Sequence, residues 1–114
     1  MRLETESHGS TLVVRLLESR IDAASAVQFK DAMRQTVDQA PDRVVLDMTA
    51  VDAIDSSGLG AIVSVMKFLG GERSFELAGL SEKVITVFRL TRMDTIITIH
   101  DSVETALGTV ARAS

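Results

Sequence analysis

The 114-residue sequence contains no cysteine, which excludes disulfides, thiolate nucleophiles and cysteine-ligated metal sites. Long apolar runs are also missing. The longest apolar-leaning stretch, 59–69, is interrupted by Ser64 and Lys67, and it is about half as long as a membrane-spanning helix. The N-terminus lacks the basic region and apolar region of a signal peptide. These absences predict a cytoplasmic protein with no membrane insertion.

Basic charge is scarce and scattered. Twelve lysines and arginines face 16 acidic residues, for a net charge of -4, and nowhere do four basic residues cluster. Because neutralising phosphates needs a basic patch, we do not expect direct binding to nucleic acid. The expected partner is another protein or a small ligand. A hydrophobic fraction of 46% is ample for one core, so a single domain over 1–114 is expected.

Strand-like and helix-like segments alternate along the chain. β-branched or apolar runs predict strands, and a short edge strand is predicted before them; the five segments are 3–7, 11–17, 44–48, 74–78 and 95–99. The run 44–48 is apolar with little alternation, which is typical of a central strand covered on both faces. The order of elements predicts an α/β fold with a mixed, mostly parallel sheet of four to five strands layered with about four helices.

Four helices are predicted from capping residues and apolar spacing. Asp22 is the expected N-cap of the first, the serine pair starts the second, Ser81 caps the third, and Asp101 with Glu104 starts the last. The apolar faces of the first and last helices are expected to carry Ala26, Phe29, Met33 and Val37, and Val103, Ala106, Leu107 and Val110, respectively.

The polar turn Asp55-Ser56-Ser57-Gly58 follows the buried strand and opens an apolar helix that ends at Gly70-Gly71. Free N–H groups and the helix dipole at such a position favour negative charge. Three interpretations compete: a serine N-cap, a phosphate-binding loop and a hydrolase. The nucleotide-binding glycine motifs and Gly-x-Ser-x-Gly are absent, and nothing places a histidine on the serines. The pattern indicates a binding protein, not an enzyme.

The hexapeptide Asp55-Ser56-Ser57-Gly58-Leu59-Gly60 resembles the motif of anti-sigma factor antagonists in the STAS domain family (sulfate transporter and anti-sigma antagonist). Other segments fall in the family's order: 20–22, 44–47, 75–80 and 84–90. The resemblance implies a STAS-type fold and a regulatory phosphoprotein that acts in transcription by partner switching. The unphosphorylated form would bind an anti-sigma factor that is also a serine kinase of the histidine-kinase-like ATPase fold. Its sigma factor would then be released.

Phosphorylation of Ser56 would end that binding, and a PP2C-type phosphatase would restore it; Ser57 is the second choice as phosphoacceptor. The resemblance and a helical wheel together predict a partner surface of Asp22, Asp55, Ser56, Ser57, Gly58, Gly60, Ala61, Ser64 and Phe68. On the wheel, the residues expected to face the core are Leu59, Ile62, Val63, Met66 and Leu69, with Val65 at the boundary. No cofactor or metal is expected.

Two interpretations of Phe68 remain open: an anchor for the partner, or packing under the Gly70-Gly71 turn. The segment Glu18-Ser19-Arg20 stands where the family often has glycine, and this puts the placement of Asp22 in question. The alternative functions are a STAS subunit of another complex (a lipid-transport ATPase, a transporter or a stress-signalling assembly) and a small-ligand or nucleotide sensor.

Overall fold

The computed structural model describes residues 1–38 and 40–112, with side chains of the last helix described up to residue 108. The elements in chain order are β1 (Leu3–His8), β2 (Thr11–Leu16), β3 (Arg20–Ile21), α1 (Ala26–Val37), β4 (Arg43–Asp47), β5 (Ala53–Ile54), α2 (Ser56–Leu69), β6 (Ser74–Ala78), α3 (Glu82–Leu90), a 3-10 helix (Met93–Thr95), β7 (Thr98–His100) and α4 (Val103–Arg112).

A five-stranded sheet with the order β1-β2-β4-β6-β7 forms the centre of the fold. β1 is antiparallel to β2, whereas β2, β4, β6 and β7 run parallel to one another. Gly9, with a φ of +60°, makes the tight turn of the β1–β2 hairpin. The parallel strands are joined through helices, as such connections require. The predicted mixed, mostly parallel α/β sheet with four helices is confirmed.

The two faces of the sheet are covered unequally. Alternate residues of β4 point to opposite faces: Val44 and Leu46 lie in the main core with α1, α2 and α3, whereas Val45 lies in a smaller cluster with Ala106 of α4. Val44, Val45 and Leu46 are all fully buried, so the prediction of a central strand covered on both faces is confirmed. Val110, expected on the inner face of α4, lies outside the described side chains.

The start of α1 differs from the prediction. The helix begins at Ala26 with Ser25 at the N-cap position, so the assignment of Asp22 as N-cap was wrong. Asp22 holds the turn before the helix: its Oδ1 accepts hydrogen bonds from the backbone N–H groups of Ala24 (3.1 Å) and Ser25 (3.2 Å). The carboxylate therefore stabilises the turn that leads directly into α1, whose first residue, Ala26, donates its N–H to the Asp22 carbonyl at 2.8 Å.

The predicted strand 95–99 is also shorter than expected. Met93–Thr95 form a 3-10 helix and only Thr98–His100 pair with β6. Arg92 has a left-handed backbone (φ 61°) after α3, and its carbonyl accepts a hydrogen bond from Thr95 Oγ1 at 2.7 Å. These contacts hold residues 92–96 in a turn, so that the strand begins only at Thr98.

Of the predicted caps of the last two helices, one is confirmed and the other is wrong. Ser81 caps α3 as predicted, since its hydroxyl accepts from the N–H of Val84. For α4 the prediction of Asp101 was wrong, because the hydroxyl of Ser102 accepts the hydrogen bond from Thr105 N at 3.0 Å.

Candidate functional site

A second, very small sheet brings together the segments that precede α1 and α2. β3 and β5 pair in parallel, with Arg20 opposite Ala53 and Ile21 opposite Ile54. Just before this pair, the Asp52 N–H donates to the Ser19 carbonyl at 2.7 Å. The two loops that carry the predicted site residues therefore form one surface.

The segment 18–20 brings the Ser19 carbonyl to Asp52 although it contains no glycine. Within residues 1–38 and 40–112, Arg92 is the one non-glycine residue with a positive φ, so Ser19 adopts an ordinary backbone conformation. The missing glycine does not displace Asp22, because the turn that Asp22 holds lies directly beside the serine motif. Its next residue, Ala23, donates its backbone N–H to Asp55 Oδ2 at 3.1 Å.

Asp55 is the N-cap of α2, with an extended backbone and a carboxylate that binds in two directions. Its Oδ1 accepts from the N–H of Gly58 at 2.9 Å, while Oδ2 accepts from Ala23 in the neighbouring loop. The Gly58 N–H is the main cause that lowers the pKa of Asp55, and Ala23 adds to it. The interpretation of a serine as the N-cap was therefore wrong, and the carboxylate stays charged.

Ser56 and Ser57 are the first two residues of α2, and both are exposed. Neither hydroxyl has a hydrogen-bond partner among the side chains and backbone groups that the structure describes, since Asp55 already caps the helix. The helix dipole and the free N–H groups of the first turn stabilise added negative charge at this point. The serines are thus accessible and suited to carry a phosphoryl group.

Gly58 was predicted as a partner contact, and the structure corrects this. It is buried, and a Cβ at this position would lie 2.1 Å from the backbone oxygen of Ile21 and 2.9 Å from Ile54 Cγ1. The absent side chain therefore allows α2 to approach β3, so that Gly58 serves packing inside the domain.

Ala61 was likewise predicted to face outward, which is wrong: it is 2% exposed. The inward face of α2 is centred on Ala61, Ile62, Val65 and Leu69, so Val65 is a core residue and not a boundary residue. Leu59, Val63 and Met66, expected in the core, are half-buried. Gly58 approaches β3 closely, and the residues on its face of the helix, Ala61 and Val65, therefore point inward.

Gly60, Ser64 and Phe68 remain on the outer side of α2. Gly60 is exposed, and a Cβ there would meet nothing. Ser64 is exposed and donates its hydroxyl to the Gly60 carbonyl at 3.0 Å. Phe68 is half-buried and packs against the main core, and the guanidinium carbon of Arg34 lies 4.8 Å from the centroid of its ring. Phe68 therefore lies against α1, with part of its ring accessible.

Sequence reasoning missed the contribution of α1 to this surface. Val27, Lys30, Asp31 and Arg34 line a groove with Phe68. Their three- and four-residue spacing beside the apolar stripe of α1 was a usable signal. The pairing of β3 with β5 had no such signal, because each strand has two residues.

Both histidines lie against glutamates. His8 Nε2 is 2.6 Å from Glu6 Oε1, and His100 Nε2 is 2.6 Å from Oε1 of Glu76. Glu76 also accepts two 2.8 Å hydrogen bonds from Arg43. These contacts lower the pKa of Glu76 to about 2, with Arg43 as the main cause. Since this cluster lies on the α4 side of the sheet, it is separate from the serines.

None of the helices in the described ranges is both long and apolar enough to span a membrane. A family model for the STAS domain matches residues 2–106. The anti-sigma-B factor antagonist of Listeria monocytogenes is 38% identical over 84 residues, which are 71% of this chain and 72% of that protein.

Solved structures give the same fold. An anti-sigma factor antagonist from Mycobacterium paratuberculosis is similar with a TM-score of 0.84 at 24% identity, over 96% of this chain and 93% of that one. SpoIIAA in its unphosphorylated form is similar with a TM-score of 0.73 at 22% identity, over 96% of each chain. The phosphorylated form of the Bacillus cell fate determinant SpoIIAA has a TM-score of 0.67 at 21% identity, over 96% of this chain and 99% of that one.

Proposed function

Because this chain belongs to the STAS domain family, we propose that it is an anti-sigma factor antagonist controlled by phosphorylation of Ser56. The observation that carries the proposal is the exposed serine pair at the start of α2, with both hydroxyls left unused by the Asp55 cap. The 38% identical relative from Listeria monocytogenes is itself named an anti-sigma-B factor antagonist. The proposed role is binding, without catalysis.

In the unphosphorylated state, the outer face of α2 and the adjoining turn bind the partner. The proposed contacts are Asp22, Asp55, Ser56 and Ser57 at one end and Gly60, Ser64 and Phe68 along the helix. Gly60 leaves open space next to the serines, so a partner's backbone can approach closely. The proposed partner is an anti-sigma factor with serine kinase activity and a histidine-kinase-like ATPase fold, which releases its sigma factor on binding.

The kinase transfers the γ-phosphoryl group of ATP to Ser56 Oγ, which loses its proton, and ADP leaves. Ser57 is the second choice. The phosphate adds about -1.5 to -2 charges. Within the free domain the start of α2 stabilises this charge, whereas in the complex it must be desolvated near Asp22 and Asp55. A loss of about 3–4 kcal/mol in binding corresponds to a few hundred-fold in affinity. A PP2C-type phosphatase then hydrolyses the phosphoserine and restores binding.

Phosphate mapping tests the proposal directly. The wild-type chain, Ser56→Ala and Ser57→Ala are each incubated with candidate ATPase-kinases and Mg-ATP, and mass spectrometry locates the phosphate. We expect incorporation in wild type and Ser57→Ala and none in Ser56→Ala. Phosphate that persists in Ser56→Ala but disappears in Ser57→Ala would move the acceptor to Ser57. An unchanged affinity of the phosphorylated chain for its kinase would contradict the switch itself.

A further inference from the structure

A groove of about 250 Å³ runs between α1 and α2 and shares Ser64 and Phe68 with the proposed partner surface. We call it the α1–α2 groove. Ser64 belongs to it, and this residue lies eight positions after Ser56, about 12 Å along the helix axis. The groove therefore continues the surface that begins at the serines.

The apolar part of the α1–α2 groove comes mainly from Val27 and Phe68. Val27 is 62% exposed, which makes it one of the few large apolar side chains of the described residues to lie largely in solvent. An isolated exposed valine means little. Here, however, it lines the same concave site as the half-buried Phe68, and in such a site an apolar anchor from a partner is largely desolvated.

The charged part of the groove is mostly basic, with Lys30 and Arg34 against Asp31. The serine end has the opposite sign, because the segments 19–25 and 51–58 carry three aspartates and one arginine. The surface is thus acidic at one end and basic at the other. A partner with the complementary pattern binds such a surface in one orientation only.

We propose that the α1–α2 groove takes an amphipathic helix of the anti-sigma factor kinase, with an apolar side chain between Val27 and Phe68 and a carboxylate on Lys30 or Arg34. This is the helix-in-groove mode of recognition, and it rests on the function proposed above. The contact orients the kinase so that its bound ATP faces Ser56. Arg34 lies over the Phe68 ring in the free chain, and the incoming carboxylate draws its guanidinium aside.

The test uses the kinase that phosphorylates the wild-type chain and measures its Kd for groove variants by calorimetry in the presence of ADP. Val27→Asp and Arg34→Glu change the groove. Leu90→Asp and Arg89→Glu are matched controls in the last turn of α3, where Leu90 is 80% exposed. We expect each groove variant to raise Kd about tenfold or more and each control to change it less than about twofold, as for anchor residues against peripheral ones. Circular dichroism checks that all variants fold.

A photo-crosslinking residue in place of Val27 identifies the occupant, with the same residue in place of Leu90 as control. We expect capture of a kinase peptide in which an apolar residue lies within one helical turn of aspartate or glutamate. A peptide without a carboxylate, or a crosslink between two copies of this chain, would overturn the proposed occupant. Wild-type Kd in the groove variants, combined with lost binding in Gly60→Arg, would overturn the groove alone. A kinase panel that never binds the wild-type chain would overturn the proposed function and the groove with it.

Discussion

Replacing Gly58 by alanine tests whether the start of α2 is fixed against β3. The added Cβ would lie 2.1 Å from the oxygen and 2.8 Å from the carbonyl carbon of Ile21. Both are backbone atoms of β3, so no rotamer change can relieve the clash. Either the start of α2 must shift or the β3–β5 pair must open, and each movement strains the hydrogen bond between Asp55 and Ala23.

Two opposite contributions set the size of the effect. Overpacking a close contact costs about 1–3 kcal/mol, whereas alanine in a helix is favoured over glycine by up to about 1 kcal/mol. We therefore expect Gly58→Ala to lower the free energy of unfolding by about 1–2 kcal/mol. For a domain of this size, about 4 °C of Tm corresponds to 1 kcal/mol, so Tm should fall by about 4–8 °C.

Gly60→Ala is the matched control, since it lies in the same helix with open space around the new Cβ. Only the helix preference acts there, and we expect a gain of about 0.5–1 kcal/mol. Urea unfolding followed by circular dichroism measures both variants. A Gly58→Ala protein as stable as Gly60→Ala would refute the close approach of α2 and β3, and with it the account of Gly58 as a packing residue.

Three further substitutions test the cap, the buried ion pair and the strained turn. Asp55→Ala should lower the free energy of unfolding by about 1 kcal/mol or more in urea titrations, the usual loss for an N-cap; wild-type stability would contradict the double hydrogen bond. Glu76→Gln should destabilise the chain near pH 7 by about 1–3 kcal/mol, because Arg43 loses its charged acceptor and keeps the Ala106 carbonyl. The Glu76 pKa is lowered from 4.5 to about 2; its contribution is therefore complete above pH 4.5 and lost as the pH falls to about 2. Unfolding curves of wild type and variant should converge over that range. The control is Glu72→Gln, at an exposed glutamate that makes no ion pair with the described residues, and it should show no such convergence. Arg92→Gly should raise Tm by a few degrees, since glycine tolerates the positive φ at a gain of about 1 kcal/mol; an unchanged or lower Tm would argue against strain there.

The parts of the fold that follow from burial were predictable from the sequence. The run 44–48 must be covered on both faces because it offers no polar face to solvent, and its neighbours must then supply helices. β3 and β5 could not be predicted, because a two-residue strand has no periodicity and forms only when distant segments are brought together. The predicted start of α1 was wrong for another reason: Asp22 and Ser25 bond to each other's backbone in the turn before the helix, and the same pair of hydrogen bonds is also typical of a helix cap.

In the candidate site, too, some features were predictable from the sequence and others were not. The local motif placed the serines at the start of a helix, which the structure confirms. The helical wheel failed at Ala61 because α2 is apolar around most of its circumference, so its small residues hardly define which side faces inward. The contact of Arg34 with Phe68 joins two helices, and sequence spacing within one helix cannot reveal it.

The hydrogen bond from Ala23 to Asp55 gives the site a built-in spectroscopic probe. The Ala23 N–H lies 32 residues from the carboxylate that accepts it, and its NMR shift depends on the position and charge of that acceptor. Any chemical event at the neighbouring serines that moves the Asp55 carboxylate is therefore read out on the opposite loop. In a ¹⁵N-labelled sample, this single amide reports the state of the site without a label on the serines themselves.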